Sequence, residues 1–469
     1  PERIQTPLMR KNGELVESSW DESYKKVSDE FKRIAKTHGE KAVGIISTGQ
    51  LLTEEFYTLG KFVQLGLKTN NFDGNTTLCM ASAVMGYKQS LGSDGAVGSY
   101  EDFEKADTIF LVGANIADNH PILKLHILKN KKKPNIIVID PRASKTSQMA
   151  TTFVPIKART DLALYNGLAY IVMEQGWENE GYVKANTNGY KELKKHLQDY
   201  PPQEVANITG IDVKTLYELA RQFVAQDSVL TAWTMGVNQS FMGTDTVSAI
   251  INLHLLTGQI GREGAGPFSI TGQCNAMGTR EFGFTSSLPA YRNFGDEKAL
   301  KEYADIVNVP ESIVPTSRGY KYAEIVDAID RGEIKALWVV ATNPLVSFVN
   351  QEKFRKTLAK LELLVVQDAF MSDTAELADV VFSAATWGEK EGTYTNSERR
   401  CNRANKAVEP IGKTKSDFDI VLEFSKYFDG VNELLFPSWE KPIDAFNEMK
   451  KLSKGQLCDY TGMSYELME

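Results

Sequence analysis

The stretch Asn75-Thr76-Thr77-Leu78-Cys79-Met80-Ala81-Ser82-Ala83 holds one of four cysteines, with a polarizable methionine directly behind it. A thiolate is a soft ligand, so Cys79 is a candidate single sulfur donor to a redox-active metal carried by a cofactor. The plain alternative is a small buried hydrophobe, the usual fate of a cysteine outside a disulfide. Cys274, Cys401 and Cys458 share no C-x-x-C spacing with it or with one another. That argues against a self-contained zinc or iron–sulfur site and against a disulfide framework, and for a reducing compartment.

Two further stretches hold chemistry-bearing groups. Around Gly258-Gln259-Ile260-Gly261-Arg262-Glu263-Gly264-Ala265-Gly266 the chain turns glycine-rich, then reads Gly272-Gln273-Cys274-Asn275-Ala276-Met277-Gly278-Thr279-Arg280. Gln273 and Arg280 together can offer an uncharged donor and one fixed positive charge to a small oxyanion. A glycine-dictated crossover with Arg280 paired structurally explains the same residues, and Cys274 reads as structural. The run from Trp387 to Arg400 is polar and glycine-punctuated. Its Lys390 and Arg399 could meet a pyrophosphate, or the run is a solvated charged loop. The histidines offer less. His254 sits on an apolar helix as a satisfied core residue, His120 reads as a loop hydrogen-bonder, and no His-based triad or multi-His metal site is spelled out.

These groups need a frame, and the hydrophobic pattern supplies one. Tyr24, Val27, Phe31, Ile34 and Ala35 recur at helical spacing and Gly39 offers a C-cap. Lys41–Ser47 then reads as a buried strand ending in Thr48-Gly49-Gln50, followed by a helix from about Thr53 to Leu67. The theme recurs at Thr108–Val112, Asn135–Ile139, Ser228–Trp233, Ala336–Ala341 and Leu363–Val366. Continuous apolar strands alternating with helical stretches predict parallel sheets covered on both faces. In such sheets ligands bind at the carboxyl ends of the strands, and here those ends carry Gly, Asn, Gln, Asp or Thr. One such loop is an ordinary turn; six predict a large nucleotide-like ligand held by more than one nucleotide-binding half. No G-x-G-x-x-G follows a strand, and Gly412-Lys413-Thr414 lacks the first glycine of a phosphate loop, which is Ala407.

Bulk properties bound the rest. The 469 residues allow two or three domains, and 42% hydrophobic with 24% charged residues is ordinary for a globular chain. A net charge of -8 argues against a broad nucleic-acid surface. No apolar run reaches the length of a membrane span.

Taken together, these stretches resemble the molybdopterin oxidoreductases of the dimethyl-sulfoxide-reductase superfamily. The resemblance covers almost the whole chain. It rests on Gly113-Ala114-Asn115-Ile116-Ala117-Asp118-Asn119-His120-Pro121, on Ile139-Asp140-Pro141-Arg142, and on Gln367-Asp368 through Glu389-Lys390-Glu391-Gly392-Thr393 to Glu398-Arg399-Arg400. It implies an α/β fold of two Rossmann-like domains with largely parallel sheets, one inserted in the other. Two molybdopterin guanine dinucleotides holding one molybdenum would bind between them. The expected division is 1–78 with 286–430, an inserted 79–285, and a helical tail 431–469 leading to a further domain.

By the same resemblance Cys79 is the thiolate that completes the molybdenum coordination. Gln50, Asn75, Gly113, Asn115, Asp118, Asn119, Asp140, Arg142, Thr160, Asp161, Met235, Gly236, Gln239, Asn343, Gln367, Asp368, Lys390 and Asp417 are implied cofactor contacts. The formate dehydrogenases of the superfamily place a His after the ligand; Met80 stands there instead, as in the periplasmic and assimilatory nitrate reductases. The segment Gly272 to Glu281 is similar to the assimilatory branch, which implies that Gln273 and Arg280 line a nitrate pocket with Met80 shielding the metal. The implied reaction is two-electron oxygen-atom transfer from nitrate, with electrons from a ferredoxin, a flavodoxin or a flavin/NADH-linked reductase subunit; the alternatives are a formate dehydrogenase or other oxidoreductase of the superfamily, or a cofactor-free subunit of the same type. Relatives of this kind carry an N-terminal 4Fe-4S domain and a C-terminal β-barrel domain. The chain is therefore expected to be the central part of a longer protein, in the cytoplasm or, if a leader precedes Pro1, in the periplasm.

Overall fold

The computed structural model describes residues 2–95, 97–285 and 287–468. Pro1, Glu469 and the expected domain boundary at Ser286 lie outside the described residues. The chain folds as two compact units. The first comprises 1–77, 273–396 and 400–469, and the second 78–272 with 397–399.

The first unit is built on a seven-stranded sheet in the order Glu14–Glu17, Leu8–Lys11, Val380–Ser383, Leu363–Asp368, Ala336–Val340, Val43–Ser47, Phe72–Gly74. The last five are parallel; the first two run antiparallel at the edge. Val43–Ser47, Ala336–Val340 and Val380–Ser383 are buried along their whole length, as continuous apolar runs require in a sheet covered on both faces. The edge strands are short and half-exposed, so they leave almost no hydrophobic pattern to read. The opening helix Trp20–His38 starts at a capping box. Ser19 Oγ accepts from Glu22 N at 3.1 Å, and Glu22 Oε2 accepts from Ser19 N at 2.9 Å.

Two features of this unit differ from the expected division. The crossover from Gln273 belongs to it, because Asn275 Nδ2 donates to Leu51 O at 2.7 Å and Thr395 N donates to Asn275 Oδ1 at 2.8 Å. The segment 431–469 is no separate tail either. Leu435, Phe436, Phe446, Met449, Leu452, Tyr460 and Tyr465 enter the same core as Tyr57, Phe62 and Phe424. Aromatic and aliphatic side chains at helical spacing must bury somewhere, and here that face packs on its own unit.

The second unit carries a five-stranded sheet, parallel throughout, in the order Thr152–Val154, Asn135–Ile139, Thr108–Val112, Val229–Trp233, Gly266–Ser269. Helices Asp161–Glu174, Val213–Ala225 and Gly243–Leu256 bury their apolar faces in a core with Phe110, Ile137 and Trp233. His254 is fully buried in it, with Nε2 2.8 Å from Thr231 Oγ1.

Each sheet has a switch point. In the first unit the chain lays Val43–Ser47, then Phe72–Gly74 on one side, and returns to place Ala336–Val340 on the other. In the second it lays Thr108–Val112, moves outward through Asn135–Ile139 to Thr152–Val154, and returns with Val229–Trp233. Loops leaving the two strands that flank a switch diverge and open a crevice, where ligands of open α/β sheets bind.

Candidate functional site

In the first unit a cavity of about 470 Å³ opens at the carboxyl ends of the parallel strands. Gln50, Asp368, Lys390 and Asp417 line it, so four of the implied contacts converge on one wall. Cys274, read from the sequence as structural, lines it too; its Sγ is 3.8 Å from Gln50 O. Trp387, 75% exposed, and Tyr394 add aromatic surface. A hollow of about 460 Å³ lies at the amino ends of the same sheet, lined by Lys41, Asn71, Arg318 and Glu333, and none of the implied contacts line it.

The charge in this cavity is organised around Lys390. Its Nζ donates to Glu55 Oε2 at 2.8 Å and to Asp417, with all three groups buried. Burial works against the ammonium, but the two carboxylates outweigh it and hold Lys390 well above the ordinary lysine value. Burial pushes Glu55 up to about 7, with Lys390 pulling down and Asp417 pushing up. The run from Trp387 to Arg400 is thus not a solvated loop: Gly392–Thr395 is a largely buried strand paired with Cys401–Ala404.

Gln367 Nε2 donates to Asp417 Oδ1 at 2.6 Å. Asp368 accepts from Ala369 N at 2.7 Å and Phe370 N at 3.2 Å, and burial raises its pKa. Gln273 Nε2 donates to Asn75 Oδ1 at 2.6 Å, and Asn75 Nδ2 donates to Thr342 Oγ1 at 3.2 Å. Asn343 spends its side chain internally, donating to Asp373 at 3.0 Å and accepting from the Thr374 hydroxyl at 2.7 Å. Arg280 lies on the helix Ala276–Phe282, with Nη1 3.4 Å from Met277 Sδ.

In the second unit the two loops of the switch cross at a pair of glycines. Gly113, at φ +52°, has a carbonyl that accepts from Gly236 N at 3.2 Å and from Thr234 Oγ1 at 2.7 Å. A Cβ on Gly236 would stand 2.6 Å from Gly113 Cα, so neither backbone leaves room for a side chain. Cys79 ends the short helix Thr76–Cys79, and its Sγ lies 3.4 Å from Sδ of Met235, on the loop after Val229–Trp233. The thiol therefore stands at the crevice of this unit. Met80 is 1% exposed, packed in the core beside it.

Asn115 Nδ2 donates to Asp118 Oδ2 at 2.8 Å, and Lys145 Nζ donates to Asp118 Oδ1 at 2.7 Å, so that carboxylate is already neutralised. Asn119, Arg142 and Gln239 are exposed. Asp140 accepts from Arg142 N at 2.8 Å. Thr160 Oγ1 donates to Lys157 O at 2.6 Å, leaving Asp161 at the first turn of its helix. Burial raises the Asp161 pKa, and the charge of Asp140 adds to it, so two carboxylates share this end of the crevice. His120 is half-buried, and burial lowers its pKa. Among the described residues no three or more His, Cys, Asp and Glu side chains converge as a self-contained metal site would need.

Comparison with known proteins gives this arrangement a family. The family model for molybdopterin oxidoreductases matches residues 3–427. A nitrate reductase of Symbiobacterium thermophilum is 41% identical over 438 residues, covering 90% of this chain and 58% of that relative. A formate dehydrogenase alpha subunit of Methanococcus maripaludis is 32% identical over 467 residues, covering 99% of this chain and 67% of that relative. The structure of acetylene hydratase from Pelobacter acetylenicus shares the fold, with a TM-score of 0.76, 24% identity, and coverage of 99% of this chain and 65% of that one. The chain spans less than two thirds of the length of the Symbiobacterium enzyme and of two other nitrate reductases that it matches.

The residues present fit the molybdenum–pterin group that such a family carries. Ser47 Oγ, Thr48 Oγ1, Gln273 Oε1, Gln367 Oε1 and Ser383 Oγ in the first unit are buried without a hydrogen-bond partner, as are Ser269 Oγ and Thr271 Oγ1 in the second. Each such atom costs about 1–3 kcal/mol unless a ligand satisfies it, and all seven stand at or beside the carboxyl ends of strands. Cys79 adds a soft donor. With the family model matched over most of the chain, this chain belongs to the molybdopterin oxidoreductases.

Proposed function

We propose that the chain is the molybdenum-binding core of an assimilatory-type nitrate reductase. The observation that carries this reading is Cys79, set against Met235 at the crevice of the second unit and followed by Met80 rather than a histidine. When bound, the molybdenum supplies two-electron oxygen-atom transfer, so that nitrate, two protons and two electrons give nitrite and water. The chain's own residues bind and orient. Arg280 is the fixed cation that favours an anionic substrate. Gln273 would line the nitrate pocket beside it, and with its Nε2 committed to Asn75 its Oε1 also offers an acceptor that suits a pterin N–H.

Each unit would take one molybdopterin guanine dinucleotide. Asp140 and Asp161 would accept from guanine N–H groups, which relieves their like-charge proximity. Lys390, Asp417, Asp368 and Gln50 would meet the other dinucleotide in the cavity of the first unit. A 4Fe-4S cluster and a reduced ferredoxin, flavodoxin or flavin-linked donor complete the proposed electron path. No helix among the described residues is long and apolar enough to cross a membrane. Likeness to assimilatory nitrate reductases supports a proposed cytoplasmic location, with the periplasm as the alternative.

The test uses the complete protein. Metal analysis finds molybdenum, and reduced viologen drives nitrate to nitrite in preference to any reaction with formate. Cys79→Ser lowers that activity by more than about a hundredfold, since even outer partners of a metal ligand are worth 10- to 100-fold. Formate oxidation without nitrate reduction would sink the substrate assignment, and full activity in Cys79→Ser would sink the site.

A further inference from the structure

The one-turn helix Met235–Asn238 touches the segment 79–82 three times. Met235 Sδ is 3.4 Å from Cys79 Sγ, Asn238 Nδ2 is 3.5 Å from Met80 Sδ, and the Asn238 carbonyl accepts from Ser82 Oγ at 2.7 Å. Asn238 is 4% exposed, and its Oδ1 accepts from the indole of the fully buried Trp233 at 3.0 Å. The direction of this amide is chemically determined. An indole N–H only donates, so Oδ1 must face Trp233; a thioether only accepts, so Nδ2 must face Met80. A methionine is flexible, and this bond adds a direction to the packing that surrounds Met80.

We propose that Asn238 is a positioning residue. Pinned by Trp233, its side chain holds Met80 while its backbone carbonyl holds Ser82, and the side-chain bond sets the direction in which the neighbouring Cys79 thiolate points. The consequence for catalysis rests on the reading of Cys79 as the molybdenum ligand; the consequence for the thiol itself does not.

Asn238→Asp still accepts from Trp233 but offers Met80 no donor. In the complete, cofactor-loaded protein it shifts the paramagnetic resonance of the metal. It also lowers kcat about tenfold, the rate equivalent of one lost hydrogen bond, with KM for nitrate unchanged. In cofactor-free protein, iodoacetamide alkylation of Cys79, followed by peptide mass spectrometry, changes rate severalfold. Trp233→Phe keeps the bulk but frees the amide to turn, and gives part of the same shifts; it carries the test if the buried carboxylate of Asn238→Asp prevents folding. Unchanged resonance and unchanged alkylation in the folded variants overturn the proposal. Cys79→Ser separates the two ideas. If it leaves the metal spectrum unaltered, the ligand reading fails, whereas an altered spectrum there beside an inert Asn238→Asp defeats only the positioning role.

Discussion

The two units solve one problem with different windings. Counting parallel strands in chain order, the first unit's sheet runs 2-1-3-4-5 with two antiparallel strands added at its edge, and the second runs 3-2-1-4-5. Both place a reversal beside strand 1, so both open a crevice at the carboxyl ends. What differs is the lining. The first unit presents an ammonium between buried carboxylates, and the second presents sulfur, amides and a glycine crossing. Winding therefore decides where a ligand goes, and the side chains at the strand ends decide what part of it is gripped.

The sharpest way to break that contrast is Lys390→Met. It strands Glu55 and Asp417 as buried carboxylates without a cation, and is expected to destabilise the first unit by about 3–5 kcal/mol. Urea unfolding of the complete protein, with amide exchange read separately in Ala336–Val340 and Val229–Trp233, localises the loss; equal loss in both strands would refute the assignment. Gly236→Ala is the counterpart in the second unit. Its Cβ meets the Gly113 backbone, and a cost of about 1–3 kcal/mol is expected from overpacking, with the Thr108–Val112 and Val229–Trp233 amides losing protection first.

Opposite pH slopes sharpen the comparison further. Glu55, at about 7 against an ordinary value of 4.5, holds its proton more tightly when folded. Its contribution is complete below the ordinary value and is lost as pH rises through 7. His254 is pressed by burial down to about 3 from 6.5. The unfolded chain then binds the extra proton, so its contribution is complete above 6.5 and is lost as pH falls toward 3. Each slope approaches about 1.4 kcal/mol per pH unit at most. Glu55→Gln should flatten the rise-side loss and His254→Gln the acid-side loss; a variant that leaves its own slope intact refutes that assignment. The smallest effect belongs to Lys145→Ala. Its exposed pair with Asp118 should leave the unfolding midpoint where it was, and a clear drop would show that the pair holds the 113–119 loop.

The sequence by itself determined the class of fold and most of the strand ends. Runs such as 109–112 and 363–366 are buried on both faces and apolar throughout, which is a local signal. Resemblance to a family, rather than any local pattern, marked Gln50, Asp368, Lys390 and Asp417, which converge on one cavity although the chain spreads them from 50 to 417. Short strands such as Leu8–Lys11 and Thr152–Val154 were not legible, because a few half-exposed residues carry no period. Nor was the outcome at Cys274, whose position on the cavity wall depends on where its crossover docks. Only the tertiary structure decided that 431–469 packs into the first unit, that Asn343 spends its amide on Asp373 and Thr374 after the neighbouring strand, and that Asn238 faces Met80. Burial and hydrogen-bond direction are properties of what surrounds a residue in space, and those neighbours come from parts of the chain that no local pattern connects.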